Sequence, residues 1–323
     1  MEKVENLLSR IGNTPLVRLH EVVKGLDAEI YVKVEYLNPS GSIKDRIALY
    51  MIEGAEKAGK LKPGISIVEA STGNTATAFA YVATTLHYRM FVFAPKTSCT
   101  PERLRIIQSY GAEVEIIDTE ALKKEQESKD SGIHGAVVEF IPRQKCLEME
   151  LSDPNVWWAR QFSNPDNVRA HREGTGKEIL EQTEGQVDAF VASIGTGGTL
   201  LGVTQALHSH NPKIAIYGVE PAESPHLRFG IDAIPKIPEV AGGILLDILH
   251  ANILNEVLTV SNDEAIDMAH QLSEKEGLFC GMSSGANVLA AMQVAKKLGN
   301  GARIVTVLPD SRDRYLTEEK YTT

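Results

Sequence analysis

Apolar residues fall into short runs separated by longer stretches in which they recur every three or four positions. The runs at 30–34, 65–68, 90–94, 113–117, 188–194, 214–219, 257–260 and 304–308 predict strands. The stretches at 46–57, 76–85, 101–110, 136–147, 263–276 and 286–298 carry the helical period, and Gly59 and Gly111 stand where two of them stop. Strands that alternate with helices cannot be joined by hairpins, so the alternation predicts parallel sheets covered by helices on both faces. Near the start, Gly12-Asn13-Thr14-Pro15 is turn punctuation ahead of Leu16-Val17. Two segments break the rhythm. Residues 119–131 are almost wholly charged or polar and predict a solvated face, while 222–243 are rich in Pro and Gly and predict a long irregular connection.

At 323 residues the chain is long for one core, and two lobes are expected. Apolar residues make up 43% and charged residues 24%, the balance of a globular protein. The longest apolar stretch, 76–94, is interrupted by Thr84, Thr85, His87 and Arg89, so it reads as a helix and a strand rather than a membrane span. A net charge of −10, from 33 basic and 43 acidic residues, argues against nucleic acid or an anionic membrane as partner. Residues 1–10 mix charges and lack the apolar centre of a signal peptide. Cys99, Cys146 and Cys280 are far apart and show no paired spacing, which argues against a disulfide framework or a structural zinc and points to the cytoplasm.

Four loops that open predicted helices, three of them directly after a predicted strand, carry the candidate chemistry. In Asn38-Pro39-Ser40-Gly41-Ser42-Ile43-Lys44-Asp45-Arg46, Lys44 lies among small residues that let a ring-sized ligand approach. A lysine that carries a cofactor as an imine needs such a place, with its amine partly desolvated. Ser71-Thr72-Gly73-Asn74-Thr75 offers an opening suited to a carboxylate, and the Asn74 amide can hydrogen-bond a ring oxygen. Gly195-Thr196-Gly197-Gly198-Thr199 combines backbone N–H groups, hydroxyls and a helix N-terminus, which suits a phosphate dianion. Leu200 stands where a dinucleotide fingerprint needs its last glycine, and no Lys-Ser/Thr follows as in a nucleotide P-loop. In Gly281-Met282-Ser283-Ser284-Gly285, Ser283 is either a helix cap or a hydroxyl facing a ring nitrogen. Each loop alone has an ordinary reading as a cap or turn. Together they match the aldehyde, phosphate, ring oxygen and ring nitrogen of pyridoxal 5′-phosphate.

With these residues in place, the chain resembles the cysteine synthase (O-acetylserine sulfhydrylase) and cystathionine β-synthase family of fold-type II pyridoxal-phosphate enzymes. The similarity runs over nearly the whole chain through Ile11-Gly12-Asn13-Thr14-Pro15-Leu16-Val17, the four loops, Gln161-Phe162-Ser163-Asn164-Pro165 and the tail at 308–316. It implies a two-lobed, three-layer α/β/α fold with parallel sheets, similar to the tryptophan synthase β chain. Residues 46–155 would form the smaller lobe, with 1–45 and 156–323 forming the larger one. Residue by residue, it implies Lys44 as the Schiff-base lysine and Asn74 beside the cofactor's 3′ oxygen. Gly195, Thr196, Gly197, Gly198 and Thr199 would hold the phosphate, and Ser283 the pyridine nitrogen. Ser71, Thr72, Gly73 and Thr75 would bind the substrate carboxylate, with Gln161 nearby.

The implied activity is β-replacement, with O-acetyl-L-serine and sulfide giving L-cysteine. A serine cannot keep a pyridine nitrogen protonated as a carboxylate would, which weakens the ring as an electron sink and favours prompt loss of the β-substituent. O-phosphoserine as donor, cystathionine formation, and desulfhydrase or lanthionine-forming activity stay open. So does a catalytically silent module that docks the C-terminus of serine acetyltransferase. The resemblance further implies a homodimer acting on small molecules, an activated serine with sulfide or a thiol. The chain departs from the family at Ser40, where glycine is usual, in the reversed order Ser71-Thr72, and at Ala76. Residues 224–249, which lie over the substrate side in the family, keep only Ala241-Gly242-Gly243-Ile244 of a glycine-rich stretch. Arg228 is therefore a candidate for recognising a phosphorylated donor, with a solvated arginine as the ordinary alternative. Arg312, in place of a tail glycine, carries the same two readings.

Overall fold

The apolar runs pair into two sheets in the computed structural model, which describes residues 4–96, 99–118, 137–223, 243–299 and 301–317. The polar stretch 119–131, Arg228 and most of 222–243 lie outside the described residues. The strands are β1 (Leu16–Arg18), β2 (Glu29–Val34), β3 (Ser66–Ala70), β4 (Met90–Pro95), β5 (Glu113–Ile117), β6 (Val156–Trp158), β7 (Ala189–Ser193), β8 (Ala215–Pro221), β9 (Glu256–Val260) and β10 (Arg303–Leu308). A six-stranded sheet has the order β1-β2-β10-β7-β8-β9, and a four-stranded sheet the order β5-β4-β3-β6. Every pairing is parallel except β1 with β2.

The helices are α1 (Lys44–Lys57), α2 (Asn74–Thr85), α3 (Pro101–Ser109), α4 (Val137–Ser152), α5 (Pro165–Ala170), α6 (Lys177–Gln182), α7 (Gly198–His210), α8 (Gly243–Ala251), α9 (Asn262–Glu276) and α10 (Met282–Leu298). A π-helical segment, His171–Gly176, joins α5 to α6. They cover both faces of the sheets, as the alternation requires. Along β10, Ile304 and Leu308 face the α9 and α10 side, while Val305 and Val307 face the α7 side. In the smaller sheet, Ile67 packs towards α1 and α2, and Val68 towards α4. Being buried on both faces is why these strands read as continuous apolar runs. No helix among the described residues is long and apolar enough to cross a membrane.

Two boundaries differ from the sequence expectation. Val156–Trp158 pairs with β3, so β6 belongs to the four-stranded sheet, whereas the resemblance implies the larger lobe for residues from 156 onward. Three residues are too few to show which sheet a strand joins. The helices also start earlier than their first apolar residues suggest, because α1 begins at Lys44, α2 at Asn74 and α10 at Met282. The marked loops thus supply first helical turns, whose N–H groups have no partner inside the helix.

Candidate functional site

β2, β10 and β7 are neighbours, and their carboxyl ends lead into the Lys44 stretch, the tail at Asp310 and the 195–199 loop. β3 and β6 are neighbours in the other sheet and lead into the 71–75 loop and Gln161. Ligands of open α/β sheets bind at such carboxyl ends. The five segments meet there.

The Lys44 stretch is held from behind. Asn38 Oδ1 accepts the Gly12 N–H at 2.8 Å. Asp45 accepts the Ser40 N–H at 2.6 Å and also the Ser40 hydroxyl, so the serine that departs from the family pattern gives this carboxylate a second donor. Burial pushes Asp45 up to about 6 against those hydrogen bonds. Gly41 has φ +88°, and a Cβ there would come within 2.6 Å of an Arg314 nitrogen, so both backbone and space favour glycine. Arg46 bridges Glu35 at 2.7 Å and Glu178 at 2.7 Å, and Glu178 also meets the buried Lys33 at 2.6 Å. This ionic cluster joins the Gly12–Thr14 turn, β2, α1 and α6 under the site.

Lys44 itself is half-buried, and its ammonium makes no hydrogen bond or ion pair with a described residue. Burial lowers its pKa, and the Asp310 carboxylate offsets part of that effect. An amine in that condition is poised to lose its proton. Asp310 was not singled out in the sequence, yet it ties several parts together. Its Oδ2 accepts the Asn74 amide at 2.6 Å and the Tyr315 hydroxyl, and its backbone oxygen accepts the Gly281 N–H at 2.9 Å. Asn74 Oδ1 accepts from Arg314 at 2.8 Å, which leaves one Asn74 amide hydrogen for a ligand. Ser283, two residues past Gly281, has a hydroxyl with no hydrogen-bond partner among the described residues. Beside Asn74 lies a cavity of about 90 Å³ lined by Gly73, Asn74, Thr77, Arg103, Ile106, Arg314 and Tyr315.

In the 195–199 loop, Gly197 adopts φ +88° and α7 starts at Gly198. The N–H groups of Gly195, Thr196, Gly197 and Thr199 have no acceptor among the described residues. A Cβ on Gly195 would meet nothing within 4 Å, so the loop is open on its outer side. Thr199 Oγ1 lies 3.3 Å from His171 Nε2, and Thr196 Oγ1 accepts from Asn167 at 3.1 Å. His171 is buried, and burial together with the charges of Lys44 and Arg46 holds its pKa well below the usual range. Thr199 therefore contacts a neutral imidazole on which the Lys44 charge also acts.

In the 71–75 loop, the Thr75 hydroxyl donates to Gln161 Oε1 at 2.7 Å, while Gln161 Nε2 donates to Ala70 O at 3.1 Å. The Gln161 N–H is taken by the buried Glu69 at 2.9 Å. Thr75 and Gln161 thus face each other, whereas Gly73 has open space beside it. Of the other residues marked in the sequence, Ser71 Oγ accepts the Gly73 N–H at 3.3 Å, and Thr72 belongs to the same turn. Arg228 lies outside the described residues. Arg312 is not at the site. Its guanidinium is buried against Ala269 O, Cys280 O and His270, tying the tail to α9, because an arginine here can cap carbonyls that a glycine would leave to others.

The donor set fits pyridoxal 5′-phosphate on the structure's own terms. Unpaired N–H groups suit a dianion, while the half-buried lysine, the spare Asn74 amide hydrogen and the unengaged Ser283 hydroxyl belong to segments that Asp310 ties together. Fold and site define a pyridoxal-phosphate enzyme. A family model described as pyridoxal-phosphate dependent enzyme matches residues 7–310, and the chain belongs to that family. A cysteine synthase of Staphylococcus aureus is 40% identical over 320 residues, covering 98% of this chain and 97% of that protein. Among solved structures, the cysteine synthase of Entamoeba histolytica is 32% identical with a TM-score of 0.85, covering 100% of this chain and 92% of that one. The O-acetylserine dependent cystathionine β-synthase of Helicobacter pylori is 31% identical with a TM-score of 0.85, covering 99% of this chain and 100% of that one.

Proposed function

We propose that the protein is a cysteine synthase that forms L-cysteine and acetate from O-acetyl-L-serine and sulfide. The observation that carries this reading is Lys44, half-buried and unpaired among the described residues, at the sheet edge that also carries Asp310 and the 195–199 loop, where burial lowers its pKa. The 40% identity to the staphylococcal enzyme supports the substrate pair.

In this reading Gly195, Thr196, Gly197, Gly198 and Thr199 hold the phosphate, Asn74 gives its spare hydrogen to the ring oxygen, and Ser283 meets the ring nitrogen. The bound cofactor supplies an electron sink for the substrate's α-carbon. Lys44 Nζ takes the α-proton and returns it once sulfide has replaced acetate at the β-carbon. Ser71, Thr72, Gly73 and Thr75, with Gln161, receive the substrate carboxylate. For that, Thr75 and Gln161 exchange their mutual hydrogen bond for bonds to substrate, which draws the loop over the site and excludes water. We extend the reading to a cytoplasmic homodimer, in keeping with the three separated cysteines. Its 71–75 loop also suits the C-terminal carboxylate of serine acetyltransferase.

Absorbance tests the core of the reading. Purified protein shows the visible band of lysine-bound pyridoxal phosphate, and Lys44→Ala loses it. A colourless protein without recoverable cofactor would sink the assignment. Donor choice is read by supplying O-acetylserine, O-phosphoserine or serine with sulfide and measuring cysteine. Homocysteine in place of sulfide tests the second reading, which the Helicobacter relative's cystathionine synthesis favours.

A further inference from the structure

Two side chains behind the phosphate loop have no part in the chemistry above. Asn167 and His171 are four residues apart where α5 runs into the π-helical segment, so both point from one helix face. That face packs on the start of α7. A Cβ on Gly198 would overlap Asn167 Oδ1, and one on Gly202 would lie 2.7 Å from the His171 Cβ. Glycine at both places lets the two elements approach until side chains behind the loop touch its threonines. Single-turn π segments often mark functional sites.

We infer that Asn167 and His171 are positioning residues that fix the direction of the threonine hydroxyls, so that Thr196 and Thr199 both donate to the cofactor phosphate. The inference rests on the pyridoxal-phosphate reading of this loop. The argument for Asn167 starts at its 2.7 Å contact with Gln161 O. A carbonyl oxygen only accepts, so the Asn167 amide nitrogen must face it. Its second hydrogen goes to Thr196 Oγ1 at 3.1 Å. Thr196 Oγ1 also accepts the Gly198 N–H at 3.3 Å, so both partners behind it are donors and its own proton points outward. Asn167 Oδ1, by contrast, is buried with no partner among the described residues. An unpaired buried acceptor is costly, which is consistent with a residue kept for its two donors.

For His171 the same logic selects a tautomer. Nδ1 lies 3.0 Å from Thr175 Oγ1 and Nε2 3.3 Å from Thr199 Oγ1. If Thr199 donates to a phosphate, its oxygen must accept from the imidazole. The proton then sits on Nε2, and Nδ1 accepts from Thr175. The neutral ring imposed by burial and by Lys44 and Arg46 permits this arrangement. Asn167 also reaches the substrate loop, since the Gln161 residue it binds is the one that Thr75 contacts.

Two measurements test the inference. Apoenzyme variants are titrated with pyridoxal 5′-phosphate and, separately, with pyridoxal, which lacks the phosphate. Asn167→Asp and His171→Leu are expected to weaken phosphate-form binding by about tenfold, the scale of one buried hydrogen bond, and to leave pyridoxal binding unchanged. His171→Gln, whose amide restores a donor, is expected to recover most of that loss. Equal weakening for both ligands, or none, would overturn the inference. In wild-type holoenzyme, ¹⁵N NMR reads the His171 tautomer without any variant of uncertain folding. The neutral Nε2–H form supports the relay, and the Nδ1–H or doubly protonated form overturns it. A wild-type protein that binds neither ligand would instead refute the cofactor reading itself.

Discussion

Replacing Arg46 by methionine removes the centre of the ionic cluster that supports the Lys44 stretch. The guanidinium is 3% exposed and makes five hydrogen bonds, two to Glu35, two to Glu178 and one to Thr14. Without it, Glu35 keeps the Thr14 hydroxyl and the Asn38 amide but no cation in direct contact among the described residues. Breaking a buried pair from one side costs about 3–5 kcal/mol, because the remaining charge stays desolvated. That range is the expected loss in urea unfolding at neutral pH, with a parallel fall in bound cofactor. Adding Glu35→Gln to the variant removes the uncompensated carboxylate and is expected to recover at least about 1 kcal/mol.

The pH dependence has a fixed sign. Burial pushes Glu178 up, but Arg46 and Lys33 outweigh it and hold the carboxyl at about 2, below its ordinary 4.5. Such a group stabilises the fold above the unfolded value, and that contribution is lost as pH falls from about 4.5 towards 2. The wild-type advantage over Arg46→Met is therefore full at neutral pH and narrows by up to about 1 kcal/mol near pH 3.5. A cost under about 1 kcal/mol at neutral pH, or a gap that widens in acid, would refute the reasoning.

Ser40→Ala removes the hydroxyl donor to Asp45, whose pKa burial has already raised to about 6. A carboxylate with a raised folded pKa loses stability as pH rises, so the deficit, about 1–2 kcal/mol, should be larger at pH 8 than at pH 4 in urea melts. Arg312→Ala removes the guanidinium donor from the Cys280 carbonyl and from that of Ala269, which keeps the Ser273 hydroxyl, and costs about 1–3 kcal/mol, while the preference between O-acetylserine and O-phosphoserine stays the same. A changed donor preference would return Arg312 to the site. Gly198→Ala forces a Cβ into Asn167 and should purify with little cofactor, as read by absorbance after denaturation. Full cofactor content would mean that α7 can move away from α5 at no cost to the loop.

Lys44, the 71–75 loop and the 195–199 loop stand out in the sequence because each is a local pattern of small and polar residues between a strand and a helix, and Ser283 because small residues open a helix there. Asp310, Asn167 and His171 were not. Asp310 meets Asn74 across 236 positions of sequence, and nothing near either residue announces the other. Asn167 and His171 look like ordinary polar positions of a short helix until α7 is laid against them. Arg312 was ambiguous for the same reason, since its acceptors lie 32 and 43 residues away.

Periodicity along the chain determined the strands, the helices and the parallel α/β class, because side-chain direction repeats over a few residues. It also marked four loops whose combined chemistry pointed to one cofactor. The order of strands in each sheet was decided only in three dimensions. Placing β10 between β2 and β7 is what brings Asp310 to the sheet edge shared by the Lys44 stretch and the 195–199 loop. Burial and charge environment were decided there too, because each is a sum over groups that are distant in sequence. Lys44 is a desolvated amine rather than a solvated one for that reason, and Arg312 a tether of the tail rather than a ligand of the substrate.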